Sequence, residues 1–190
     1  GNSSVSTNQQ KVSGKYVIID GQPFYKISNY TNMRPFFMTL VSHSNLWLFI
    51  ASNGGLTAGR KDSEHALFPY YTDDKLIDAA ETTGSKTILK VSKGGKTYLW
   101  EPFSQRYQGV YHVENNIYKN KTGSQLIFEE INIDLGLSFQ YAWMFSDEYG
   151  FVKKSTLQNG SNQAIEVELL DGIQNILPYG VSNGLQSQRS

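Results

Sequence analysis

From Ile127 to Phe145 the apolar residues fall on odd positions, and this run restricts the fold more than any other feature of the chain. The odd row holds Ile127, Ile131, Ile133, Leu135, Leu137, Phe139, Tyr141, Trp143 and Phe145; Glu129 alone breaks it. The even row holds Glu130, Asn132, Asp134, Gly136, Ser138 and Gln140. Successive side chains of a strand point to opposite faces, so period-two alternation predicts β-structure with one buried face. One straight strand over this run would reach roughly 60 Å at ~3.3 Å per residue. A strongly curved strand, or a bend near Leu135-Gly136, is therefore expected.

Shorter strand signals surround it. Tyr16–Ile19 and Phe24–Ile27 flank Asp20-Gly21, and Thr87–Val91 and Thr97–Trp100 flank Lys93-Gly94-Gly95-Lys96. Both are hairpin signatures, because their turn residues tolerate positive φ. Pro35–Val41 and Leu46–Ala51 pair around His43-Ser44-Asn45, and Tyr107–Val113 and Ile117–Lys119 around Asn115-Asn116. Lys121-Thr122-Gly123-Ser124 makes another turn, and Ile165, Val167 and Leu169 a last alternating strand that turns at Asp171-Gly172. Only Thr72–Glu81 has a helical character, with Thr72 as cap, Asp73 and Asp74 at the positive end of the dipole, and Gly84 to stop it. About a dozen strands and one short helix predict an all-β, two-sheet antiparallel sandwich.

Residues 1–14 are small and polar and read as a flexible tether, residues 15–180 as one sandwich domain, and residues 181–190 as a polar tail or the start of a linker. A Ser/Asn-rich lead-in before the first strand suits an exported protein, periplasmic or held at the outer membrane as a lipoprotein. With 17 basic and 17 acidic residues the chain carries no net charge, which argues against nucleic acid as a partner. No apolar run is long enough to predict a transmembrane helix. Without cysteine there is neither a disulfide nor a thiolate ligand or nucleophile.

The remaining chemistry is sparse. His43, His65 and His112 lack the spacing of a local metal site, and no G-x-S-x-G elbow is present. Ser52–Arg60 is glycine-rich but lacks the G-K-[ST] ending of a phosphate loop. Glycosidases need two convergent carboxyl groups. Glu129 and Glu130 point to opposite faces of a strand, while Asp73-Asp74 and Asp147-Glu148 suit a helix end and a turn. No catalytic residue, metal or cofactor is expected. Aromatic faces that stack on sugar rings offer better ligand chemistry. The candidates for a carbohydrate or domain interface are Arg60, Phe68, Tyr70, Tyr71, Trp100 and Glu101, whereas Trp47 and Trp143 lie in apolar rows and suit a core.

Several stretches occur in a familiar order: Ser52-Asn53-Gly54-Gly55 with Gly59-Arg60, Leu67-Phe68-Pro69-Tyr70, Trp100-Glu101-Pro102-Phe103, Phe128-Glu129-Glu130, and Leu170-Asp171-Gly172 with Asn175-Ile176-Leu177-Pro178. Together they resemble the amino-terminal β-sandwich of large bacterial carbohydrate-active enzymes of the cellobiose phosphorylase and glucoamylase-like kind. The resemblance implies a supersandwich of the galactose mutarotase-like type, with at most one or two short helices. It also implies a non-catalytic role, packed on a separate catalytic (α/α)6 barrel of the same polypeptide that holds the carboxylates. A free-standing carbohydrate-binding module contacting oligosaccharide, and a structural or adhesive surface lipoprotein domain, are the alternatives. An excised sandwich should expose the apolar face that met its barrel, and Leu67–Tyr71 and Ile173–Pro178 are the segments expected there.

Overall fold

The computed structural model describes residues 10–69 and 72–178, together with the single residues 180, 182 and 185. Most of the tether and of the polar tail, and Tyr70 and Tyr71, lie outside the described residues. The strands are β1 (Ser13–Ile19), β2 (Gln22–Ser28), β3 (Phe37–Val41), β4 (Leu46–Ala51), β5 (Leu56–Arg60), β6 (Gly84–Lys93), β7 (Lys96–Trp100), β8 (Val113–Asn120), β9 (Leu126–Asn132), β10 (Leu137–Ser146), β11 (Gly150–Asn159) and β12 (Glu166–Gln174). The one α-helix among the described residues is α1 (Asp73–Asp78), which tightens into a 3-10 turn at Ala79–Glu81. The chain is all-β, as its alternation predicts.

Every strand pairing is antiparallel. One six-stranded sheet runs β1-β2-β8-β9-β10-β11, and two three-stranded sheets run β12-β6-β7 and β3-β4-β5. A single core takes Phe128, Phe139 and Trp143 from the large sheet, Leu89 and Trp100 from the second, and Leu48 and Ile50 from the third. The expected two sheets are thus three, because the second layer is broken. Beside β5 the Ala58 carbonyl accepts from Leu67 N–H at 2.7 Å, and the Leu67 carbonyl from Leu177 N–H at 2.8 Å. An irregular seam therefore runs between the small sheets. Pro69 and Pro178 have no N–H to extend a ladder, and Asn175 sits at φ +59°.

The central alternating run is a hairpin. Gly136, at φ +70°, turns β9 into β10, pairing Leu137 with Asn132, Phe139 with Glu130, Tyr141 with Phe128 and Trp143 with Leu126. Each of these pairs joins an odd position to an even one. The buried row of β10 is the predicted one, Leu137, Phe139, Tyr141 and Trp143, and the half-buried Phe145 packs against the core. On β9, however, the core side holds Leu126, Phe128, Glu130 and Asn132, while Ile127, Glu129 and Ile131 face outward. Aromatic rings lock this layer. Phe128 stacks on Tyr141 at 4.9 Å between centroids, and Phe103 meets Phe128, Phe139 and Tyr141 edge-on.

Three local expectations change. Residues 107–112 form no strand: a 3-10 turn occupies Gln105–Tyr107, and β8 starts only at Val113 and runs unbroken through Asn115-Asn116, whose side chains are buried as hydrogen-bond donors to β9 carboxylates. Asp171-Gly172 is not a turn but the middle of β12, opposite Thr87-Lys86 of β6. Thr72 occupies the cap position of α1, but its hydroxyl donates to the Asp74 carboxylate at 2.6 Å rather than accepting from a helix amide. Both glycine-bearing hairpins hold: Asp20-Gly21 and Gly94-Gly95 all have positive φ.

Lys153 of β11 reaches across to β12, where its ammonium lies 2.6 Å from Asp171 Oδ1 and 3.2 Å from the Gly172 carbonyl. Thr87 Oγ1 donates to the same carboxylate at 2.6 Å. Partial burial works against the charge on Asp171, but the bonds from Lys153 and Thr87 outweigh it and hold the carboxyl below its usual pKa. A carboxyl depressed on folding stabilises the native state above its unfolded pKa, near 4, and that contribution fades as pH falls through the folded value. Urea denaturation at a series of pH values should accordingly show a shallower acid limb for Asp171→Asn than for the parent chain. Parallel limbs would mean that the pair contributes no pH-dependent stability.

Candidate functional site

A cleft of about 890 Å³ opens where three irregular segments meet the edge of the core. One wall is the 3-10 turn Tyr30–Asn32 after β2, another the Ser52-Asn53 turn after β4, and the third the long connection from Glu101 to Val113 between β7 and β8. The floor is formed by Asn115 of β8, Phe128 and Glu130 of β9, and Tyr141 of β10.

Glu130 organises this floor. Its side chain faces inward because β9 has even parity toward the core. Trp100 Nε1–H donates to Oε1 at 2.8 Å, and Phe103 N–H and Asn115 Nδ2–H to Oε2 at 2.9 Å each. A buried carboxylate is tolerated when its oxygens are saturated in this way. The bond to Phe103 also fixes the connection, since Phe103 sits at φ +66°, a region that costs a bulky residue conformational energy. Glu101, on the cleft wall, is ion-paired with Lys86 of β6, which also lies 2.9 Å from Glu81. Glu81 accepts from Gln105 N–H at 2.7 Å and pins the 3-10 turn of the same wall. Partial burial of Lys86 opposes its charge, yet the two carboxylates raise its pKa above the usual lysine value.

At the base of the cleft, Tyr30 and Tyr141 are buried, and burial pushes both phenols well above the ordinary tyrosine pKa. They are neutral hydroxyls there. On the rim, Tyr107 and Gln108 are exposed, and His112 exposes 87% of its side chain while its Nδ1 lies 3.1 Å from Asp134.

Glu129 lies on the opposite, outward face of the same strand and is buried too. Asn116 Nδ2–H and Tyr118 O–H donate to its Oε1 at 2.7 Å each, and the Gln140 amide reaches Oε2. Burial and this carboxylate push the Tyr118 phenol upward, so it stays protonated as a donor. The two glutamates face apart, as strand geometry requires, and each is saturated separately.

The sequence candidates scatter. Glu101 lines the cleft. Trp100 does not lie open at an edge: its ring is core and its indole N–H serves Glu130. Phe68 is fully buried, edge-on to Trp143 at 6.4 Å, so it offers no face to a ligand. Arg60 is exposed at the end of β5, away from the cleft. Of the two segments expected at a contact face, Phe68-Pro69 is buried within the domain, whereas Ile173 and Ile176 are exposed. No group of three or more metal-ligating His, Asp or Glu side chains occurs among the described residues. No helix among them is long and apolar enough to cross a membrane. Compared with known proteins, the chain matches no family model and no curated protein.

Glu130, Asn115 and the connection beyond Glu101 are among the parts of the cleft that sequence reasoning missed. The available signal was the acidic pair Glu129-Glu130 directly after the apolar Leu126-Ile127-Phe128 of one strand.

Proposed function

We propose that this chain is a non-catalytic β-sandwich domain of a glycoside hydrolase or glycoside phosphorylase, one that packs on a separate catalytic (α/α)6 barrel of the same polypeptide. The observation that carries this is the state of the cleft carboxylates. Glu130 is saturated by three donors and Glu101 is held by Lys86, so neither is free to protonate a leaving group or activate water. The exposed apolar residues support a packing role: Leu169 and Ile173 on one face of the edge strand β12, Leu170 on its other face, and Ile176 beyond it are of the kind that contact another domain. A free-standing carbohydrate-binding module is the second reading, favoured by the cleft itself. The exported location stands with either.

The parent reading frame tests the choice. Beyond residue 190 it should encode several hundred helix-patterned residues with paired acidic positions, and its full-length product should turn over glycosides. A reading frame without such a domain overturns the packing role and leaves the binding module.

A further inference from the structure

We propose that the cleft beside Glu130 binds a neutral carbohydrate unit, with the 101–113 connection as its specificity-determining wall. This rests on the accessory role above, which leaves binding rather than bond cleavage as the task of a cleft this size.

The ligand class follows from the lining. At about 890 Å³ the cleft falls within the range of small-molecule sites, roughly 300–1,000 Å³. Neither lysine nor arginine is among its lining residues within the described part of the chain, and its floor carries the Glu130 carboxylate, whose partners are all neutral donors. A phosphate- or carboxylate-bearing ligand would enter an uncompensated negative field. An apolar ligand would strip water from polar groups without replacing their hydrogen bonds. Seven amide and four tyrosine side chains among the described residues line it instead. Gln105 and Gln108 make no side-chain hydrogen bond among the described residues, and each offers two donors and an acceptor. Tyr30 and Tyr141 contribute neutral hydroxyls at the base, and Tyr107 an exposed ring at the rim. Hydroxyl-reading amides beside an exposed aromatic ring suit a sugar, whose rim is polar and whose ring faces are apolar.

The wall is also built to hold its shape. Glu130 clamps Phe103, Glu81 clamps Gln105, and Tyr111 O–H donates to the Leu99 carbonyl at 2.7 Å. Pre-set walls reduce the ordering cost of binding.

The experiment titrates the full chain with α- and β-linked disaccharides and trisaccharides of glucose, xylose, galactose and mannose, followed by protein NMR and calorimetry. Glucose 1-phosphate is the anionic control. At least one neutral saccharide should bind at millimolar concentration, and Tyr107→Ala and Gln108→Ala should each weaken it on the order of tenfold. Thermal midpoints should be unchanged for these exposed positions. Arg60→Ala, outside the cleft, should bind as the parent does. Three results overturn the proposal: no neutral saccharide binds, the affinity is insensitive to both cleft variants, or glucose 1-phosphate binds more tightly than every neutral sugar. Turnover of a bound saccharide would instead overturn the non-catalytic role and leave the binding site standing.

Discussion

Replacing Phe139 by alanine should cost about 3–5 kcal/mol of folding stability, the range for truncating a fully buried phenylalanine. Phe139 has no exposed surface, lies on the inward row of β10 between Leu137 and Tyr141, and meets the Phe103 ring edge-on at 6.4 Å. Its removal leaves a cavity at the junction of the large sheet with the cleft wall. The neighbouring Ser138→Ala, on the other face, should change stability by less than about 0.5 kcal/mol. Urea denaturation measures both. A loss at Phe139 below about 0.5 kcal/mol would mean that the faces of β10 are assigned the wrong way round.

Glu130→Ala should be comparably damaging for a different reason. It deprives the Trp100 indole N–H, the Phe103 amide and the Asn115 side chain of their shared acceptor in a buried setting. Each orphaned donor costs about 1–3 kcal/mol, and water admitted through the cleft recovers part of this, for a net loss of about 3–5 kcal/mol. Phe103 loses the bond that offsets its positive φ, so the wall should loosen as well. The near-ultraviolet circular dichroism of Trp100 and the rate of amide exchange at Phe103 should both change. Glu130→Gln, which keeps the shape and one acceptor oxygen, should fall between the two. A loss below about 1 kcal/mol for Glu130→Ala would show that the carboxylate does not hold this wall.

The fold was legible where pattern and turn chemistry coincide. Alternation predicted β10 and its buried row, and Asp20-Gly21 and Gly94-Gly95 predicted their hairpins, because positive φ is a local demand that local residues meet. The parity of β9 was not legible in the same way. Both faces of that strand are at least partly buried, so apolar residues occur on each, and only the pairing across the Gly136 hairpin decides which face meets the core. Asn115-Asn116 looked like a turn because asparagine favours turns. In the folded chain the same amides serve as donors to Glu130 and Glu129, partners brought close only by the sheet. Trp100 misled in a similar way: it was a candidate for a carbohydrate or domain interface, but its indole N–H has a buried acceptor thirty residues on. The cleft depends on three segments far apart in sequence, and periodicity does not report how such segments meet.

The most direct measurement is turnover by this chain alone. It would be incubated with chromogenic and natural di- and oligosaccharides, with and without inorganic phosphate, and the products separated by chromatography. The committed state of Glu101 and Glu130 predicts that every saccharide is recovered intact, including any that binds in the cleft. Release of a free sugar or a sugar phosphate that disappears in Glu101→Gln or Glu130→Gln would contradict the account and make the cleft an active site.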